Sequence, residues 1–194
     1  MEAQFLRDIS RNPINAVILS RWQELGLPNA WLVAGCLFQT VWNLQCGYRP
    51  DHEIKDYDLF YFDDGDLSDS AEVQVQSRVN DIFVDLNATI EVANQARVHL
   101  WYPQYFGRPY PQLVSSEDGI QRFLVRETCV GVRPNQCYAP FGLSGIYAGR
   151  LSPNPLTPYS ELFSAKVASY QARWPVVTGM QSPFTDGSLC KMGQ

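Results

Sequence analysis

Asp56 and Asp58 stand one residue apart in the run Lys55-Asp56-Tyr57-Asp58-Leu59-Phe60-Tyr61-Phe62. Aromatic and apolar residues fill the rest of that run, which reads as a strand. Strand side chains alternate faces, so Asp56 and Asp58 point one way while Tyr57, Leu59 and Tyr61 point the other. Two carboxylates side by side repel each other unless positive charge stands between them. A divalent cation with a taste for hard oxygen ligands, Mg²⁺ or Mn²⁺, supplies that charge. Upstream, a short apolar run ends at Gly35-Cys36 and continues as an apolar helix to about Gly47. A glycine lets a backbone approach a phosphate closely, and the free N–H groups of a helix start bind its oxygens.

The charged groups nearby divide by context. Arg49, His52 and Lys55 lie in the polar loop before the acidic strand and read as solvated loop charges. Asp63-Asp64-Gly65-Asp66 lacks the twelve-residue calcium pattern and its closing Glu, so it reads as a turn, with Ser68 and Asp69 capping the next helix. Further on, Thr89-Ile90-Glu91-Val92 reads as a strand beside the Asp strand, and a helix begins at Asn94. Such a helix start sets Asn94 and Gln95 near a bound phosphate or base, and leaves Arg97 to pair with Glu91 or with phosphate. His99 reads as a packing residue of that helix. With two histidines in the chain, a histidine-rich metal site is excluded.

These groups need a scaffold, and the chain is long enough to build one. Its 194 residues fit one domain of ordinary size, and 45% hydrophobic with 13% aromatic residues support a packed core. Helices are expected over about 2–11, 13–25, 35–47, 69–80, 94–102, 115–126 and 159–174, and short strands over 128–133 and 136–141. Residues 31–34 suit either a strand or the lead-in to the Gly35 helix. The domain spans about 1–175, with a core of about 13–126 and a C-terminal extension of about 127–175. A loose tail over 176–194 is expected. A net charge of −5 argues against general nucleic-acid binding. The five cysteines, at 36, 46, 129, 137 and 190, form no zinc spacing, and reduced thiols in a cytoplasmic protein are expected. No stretch reaches the apolar length of a membrane span.

The chain resembles the nucleotidyltransferase superfamily (the DNA polymerase β-like fold), in which a Gly-Gly or Gly-Ser pair opens a helix and an Asp-x-Asp strand follows. More closely, it resembles a small bacterial family of uncharacterised nucleotidyltransferase-like proteins. The phrases that carry the likeness are Ala34-Gly35 with Val41-Trp42, Asp56-Tyr57-Asp58-Leu59 with Phe62-Asp63, the stretch from Glu91 to Tyr102, Ala139-Pro140-Phe141-Gly142-Leu143 and Pro153-Asn154-Pro155. Together they cover about residues 5–175. The resemblance implies an α/β (α+β) fold, a small mixed sheet flanked by helices, with a C-terminal extension.

It further implies metal-dependent transfer of a nucleoside monophosphate from an NTP to an unknown hydroxyl acceptor: a small molecule, a protein side chain or an RNA end. Asp56 and Asp58 would hold Mg²⁺ (or Mn²⁺) and the triphosphate. Glu91 would be the third catalytic and metal-binding carboxylate, with Asp85 as the competing position. Gly35 and Cys36 would offer backbone donors to the nucleotide, joined by Asn94 and Arg97. Cys36 and Glu91 depart from the superfamily's usual Ser or Gly and Asp. Those two departures keep open an alternative, a catalytically inactive nucleotide-binding or protein-interaction module of the same fold, and a metal-dependent hydrolase is a third.

Overall fold

The computed structural model describes residues 1–179. α1 (Glu2–Ile9) buries Phe5 and Ile9. The Asn12 side chain then caps α2 (Pro13–Ser20) by accepting from the N–H groups of Ile14 and Asn15, with proline at the start of the helix. One helix was expected over 13–25. The helix breaks at Arg21, and α3 (Trp22–Leu25) follows, closed by Gly26 in the left-handed conformation.

The run at 31–34 resolves as a strand, β1 (Trp31–Val33), which leads directly into α4 (Gly35–Gln45). After the polar loop come β2 (Asp56–Tyr61), α5 (Asp69–Ile82) and β3 (Thr89–Asn94). A 3-10 turn (Gln95–Arg97) then feeds α6 (Val98–Phe106). α7 (Ser116–Ile120), β4 (Gly131–Arg133), β5 (Gln136–Tyr138) and the one-turn α8 (Ser144–Tyr147) follow. The described chain closes with β6 (Arg150–Leu151), α9 (Ser160–Arg173) and β7 (Thr178–Gly179).

Five strands form one mixed sheet in the order β3-β2-β1-β4-β5. β2 and β3 are parallel and the other neighbours antiparallel. Alternation sorts the two faces. Leu32, Tyr57, Leu59 and Ile90 join the main core with Phe5, Leu37 and Trp42 from the helices. Trp31 and Val33 point to a smaller cluster with Ile120 and Cys129, against which Phe60 and Phe123 pack. β3 is an edge strand, and α5 covers its free side: Gln76 Nε2 donates to the Ile90 carbonyl, Gln76 Oε1 accepts from Val92 N–H, and Glu72 Oε1 accepts from Asn94 N–H.

Two differences from the expected elements have visible causes. The helix expected to run to 126 stops at Ile120 because buried Asn154 donates to the carbonyls of Gln121 and Phe123, taking acceptors a longer helix would use. Residues 178 and 179, expected in the loose tail, form β7, paired in parallel with β6. The rest of that tail, 180–194, lies outside the described residues. Among the described residues no helix is long and apolar enough to cross a membrane, and the four described cysteines are free.

Candidate functional site

The acidic strand is held by its buried face. Tyr57, Leu59 and Tyr61 sink into the core, and the Tyr57 hydroxyl hydrogen-bonds Asn12 at 3.3 Å, which in turn donates to Thr40 at 3.1 Å. That anchoring turns Asp56, Asp58 and Phe60 to the opposite face. There Asp56 and Asp58 line a cavity of about 530 Å³ together with Gly35 and Gln39 of α4, Gln95, and Lys166 of α9. Among the described residues neither carboxylate has a hydrogen-bond partner. Burial, then the negative charges of Asp56 and Glu91, push the Asp58 carboxyl up from 3.8 to about 7, with Lys166 opposing them. The strand therefore carries crowded negative charge that Lys166 offsets only in part, and hard oxygen donors of that kind fit a divalent cation.

Glu91 sits on the neighbouring strand in register with Asp58. In-register partners share a face, so Glu91 lies on the Asp face, while Ile90 is buried and Val92 packs against the core. Yet Glu91 is solvent-exposed and outside the cavity lining. Among the described residues, no three His, Cys, Asp or Glu side chains are gathered as a metal cluster. The competing Asp85 is elsewhere, ion-paired with Arg21 at 2.9 Å.

The start of α4 brings Gly35 to the cavity, but the unusual backbone belongs to its neighbour. Ala34, at the N-cap, has φ 62° and ψ −142°, a region that residues with a Cβ rarely occupy. A Cβ on Gly35 would lie 2.5 Å from Gln39 Nε2, the end of a flexible side chain. The Cys36 side chain is turned away from the cavity. It is fully buried, its thiol donates to the Val33 carbonyl at 3.2 Å, and burial followed by the Asp58 charge raises its pKa well above the usual thiol value. Only the backbone of Cys36 is placed to serve a ligand at the helix start.

Asn94 and Arg97 were expected at the nucleotide, and the structure places both outside the cavity lining. Asn94 is a clasp. Its Oδ1 accepts from Asp63 and Ala96 N–H groups, and its Nδ2 donates to the Asp63 carbonyl, tying the ends of β2 and β3 together. Arg97 is buried and pairs with Asp69 and Glu72, while its Nε donates to the Leu67 carbonyl at 2.8 Å. α5 and the loop before it engage all three nitrogens of the guanidinium and hold it against the scaffold, away from the cavity. Gln95, between them, does reach the cavity.

Lys166 and Arg122 are the cavity cations that the motifs did not reveal. Lys166 follows Phe163 by three residues and precedes Tyr170 by four, so it shares a helix face with those two buried rings while remaining solvent-exposed itself. A lysine interrupting an apolar face was the available signal. α9 itself is fixed by an aromatic lock: Trp42 stands 5.5 Å from Trp174 and 5.3 Å from Tyr170, and Trp174 Nε1 donates to Asn43 at 2.6 Å. Arg122 is tied to Asp118 at 3.2 Å. On α6, Leu100, Trp101 and Phe106 are exposed.

A sheet carrying Asp-x-Asp opposite a glycine-led helix start defines the nucleotidyltransferase class. A family model described as Nucleotidyltransferase matches residues 20–178, and the chain belongs to that family. No curated protein matches the chain. A solved structure described as an NMR structure that reveals a CCA-adding enzyme head domain resembles it with a TM-score of 0.74 at 25% identity, over 93% of this chain and 96% of that one.

Proposed function

We propose that the protein transfers a nucleoside monophosphate from an NTP to a hydroxyl acceptor, using a divalent cation held by Asp56 and Asp58. The observation that carries this reading is the pair of crowded carboxylates, without a hydrogen-bond partner among the described residues, on one cavity wall beside the start of α4. A bound Mg²⁺ or Mn²⁺ would neutralise the carboxylates, polarise the α-phosphoryl group and lower the pKa of the attacking hydroxyl. The chain's own residues do the rest. The N–H groups at Gly35 and Cys36 bind phosphate oxygens, and Gly35 admits them closely. Lys166 supplies a mobile positive charge toward the same wall. The acceptor oxygen bonds to the α-phosphorus, the bond to the bridging oxygen breaks, pyrophosphate leaves with that electron pair, and the hydroxyl proton passes to solvent or to a carboxylate. Glu91 supports the acceptor side by its place in register with Asp58.

A second reading, nucleotide binding without turnover, is favoured by one observation: Glu91 is exposed and is not gathered with the Asp pair. One experiment separates the two. Purified protein is incubated with Mg²⁺ or Mn²⁺, each NTP and a panel of acceptor alcohols, protein and RNA ends. Pyrophosphate is assayed and products are read by mass spectrometry. Transfer predicts pyrophosphate and a mass-tagged acceptor in the parent and neither in Asp58→Asn. Nucleotide bound without pyrophosphate across the panel supports the second reading. Inorganic phosphate without a tagged acceptor indicates a hydrolase.

A further inference from the structure

The cavity lining also holds groups that the phosphate chemistry does not use. α6 begins one 3-10 turn after β3, so its first turns flank the same space as Asp58, and Trp101, Tyr102 and Phe106 line it together with Tyr110. Tyr102 lies 4.4 Å from Tyr110 and 4.5 Å from Phe106, at interplanar angles of 39° in both pairs. Trp101 stands 6.3 Å from Phe106. These rings are not simply core, since Trp101 is 36% and Phe106 47% exposed. A buried polar group borders the patch: Gln95, 2% exposed, donates through Nε2 to the Ala93 carbonyl at 3.2 Å, and its Oε1 has no hydrogen-bond partner among the described residues.

Resting on the donor reading above, we infer that this aromatic shelf seats the nucleobase of the donor nucleotide. The occupant is argued from continuity: one cavity is lined both by carboxylates and a helix start, suited to phosphates and a cation, and by flat rings. A nucleoside triphosphate has parts of both kinds. Its base offers a π face to stack on the rings and an edge of donors and acceptors to meet an amide such as Gln95. A volume of about 530 Å³ lies within the range of small-molecule sites. Stacking accepts every base, so the shelf contributes affinity across the four NTPs, and Gln95 bears on their ranking.

Trp101 fluorescence reads this contact. The full chain in Mg²⁺ is titrated with the α,β-methylene analogues of the four NTPs and, separately, with inorganic tripolyphosphate, with Trp101→Phe as the control that assigns the signal. The shelf predicts quenching by the nucleotides in the parent and its loss in Trp101→Phe. It predicts nucleotide binding about tenfold tighter than tripolyphosphate, an advantage abolished in Tyr102→Ala and kept in Tyr102→Phe. Equal affinity for nucleotide and tripolyphosphate in the parent overturns the shelf and leaves the phosphate site standing. Binding of neither overturns both. Quenching by a single-stranded oligonucleotide but by no mononucleotide gives the shelf to an acceptor and overturns its assignment to the donor. Should Tyr102→Ala fail to fold, the parent comparison and the Trp101→Phe and Tyr102→Phe variants still decide.

Discussion

Asp58 binds its proton more tightly in the folded chain than an ordinary aspartate does, titrating near 7 instead of 3.8 because it is buried beside Asp56 and Glu91. The folded state therefore holds more protons than the unfolded state between pH about 4 and 7, and stability falls as pH rises through that window. In the presence of a chelator, Asp58→Asn should gain nothing over the parent below pH about 4 and an increasing margin up to pH about 7, levelling above it at on the order of 4 kcal/mol. Calorimetric melting across pH checks this, and a gain independent of pH contradicts it. Ala34 carries a different kind of cost, a φ of 62° at the opening of α4. Ala34→Gly relieves it and should stabilise the fold by about 1 kcal/mol in denaturant titration, where a glycine elsewhere in such a run would destabilise. The motif reading gave Gly35 its role through the missing side chain, which residue type shows; the positive φ at Ala34 has no signature in residue type.

Elements hold the site more than motifs do. The Asp strand was legible from its alternation, and so were its neighbour β3 and the helix after Gly35, since each has a strong local pattern. Asn94 and Arg97 were misplaced because their partners are remote in sequence. The Arg97 partners, Asp69 and Glu72, belong to α5, and Asn94 clasps Asp63, two residues past β2. A polar residue just past a site strand has the same local signature whether it faces ligand or scaffold. Arg97→Gln tests the distinction. It leaves Glu72 without its cation and should lower stability by about 2 kcal/mol. Affinity for tripolyphosphate in Mg²⁺ should stay within about twofold of the parent in the folded variant, since Arg97 does not line the cavity. An affinity loss of tenfold at unchanged stability would return Arg97 to the phosphate.

At the scale of the whole molecule, one cavity is assembled from segments far apart in the chain: the starts of α4 and α6, the outward face of β2, and Lys166 of α9. α9 takes part because Trp42, Tyr170 and Trp174 lock it to α4. Its contribution was hidden in sequence, where α9 looked like a packing helix of an appended region. The family and the fold describe a nucleotidyltransferase, and the central claim is that its working end is the Asp56–Asp58 wall. Mn²⁺ titration followed by electron paramagnetic resonance, comparing the parent with the Asp56→Asn, Asp58→Asn double variant, addresses that claim most directly. Binding in the parent, strengthened by an α,β-methylene NTP and lost in the folded double variant, is the predicted result; equal Mn²⁺ affinity in the two proteins would contradict it.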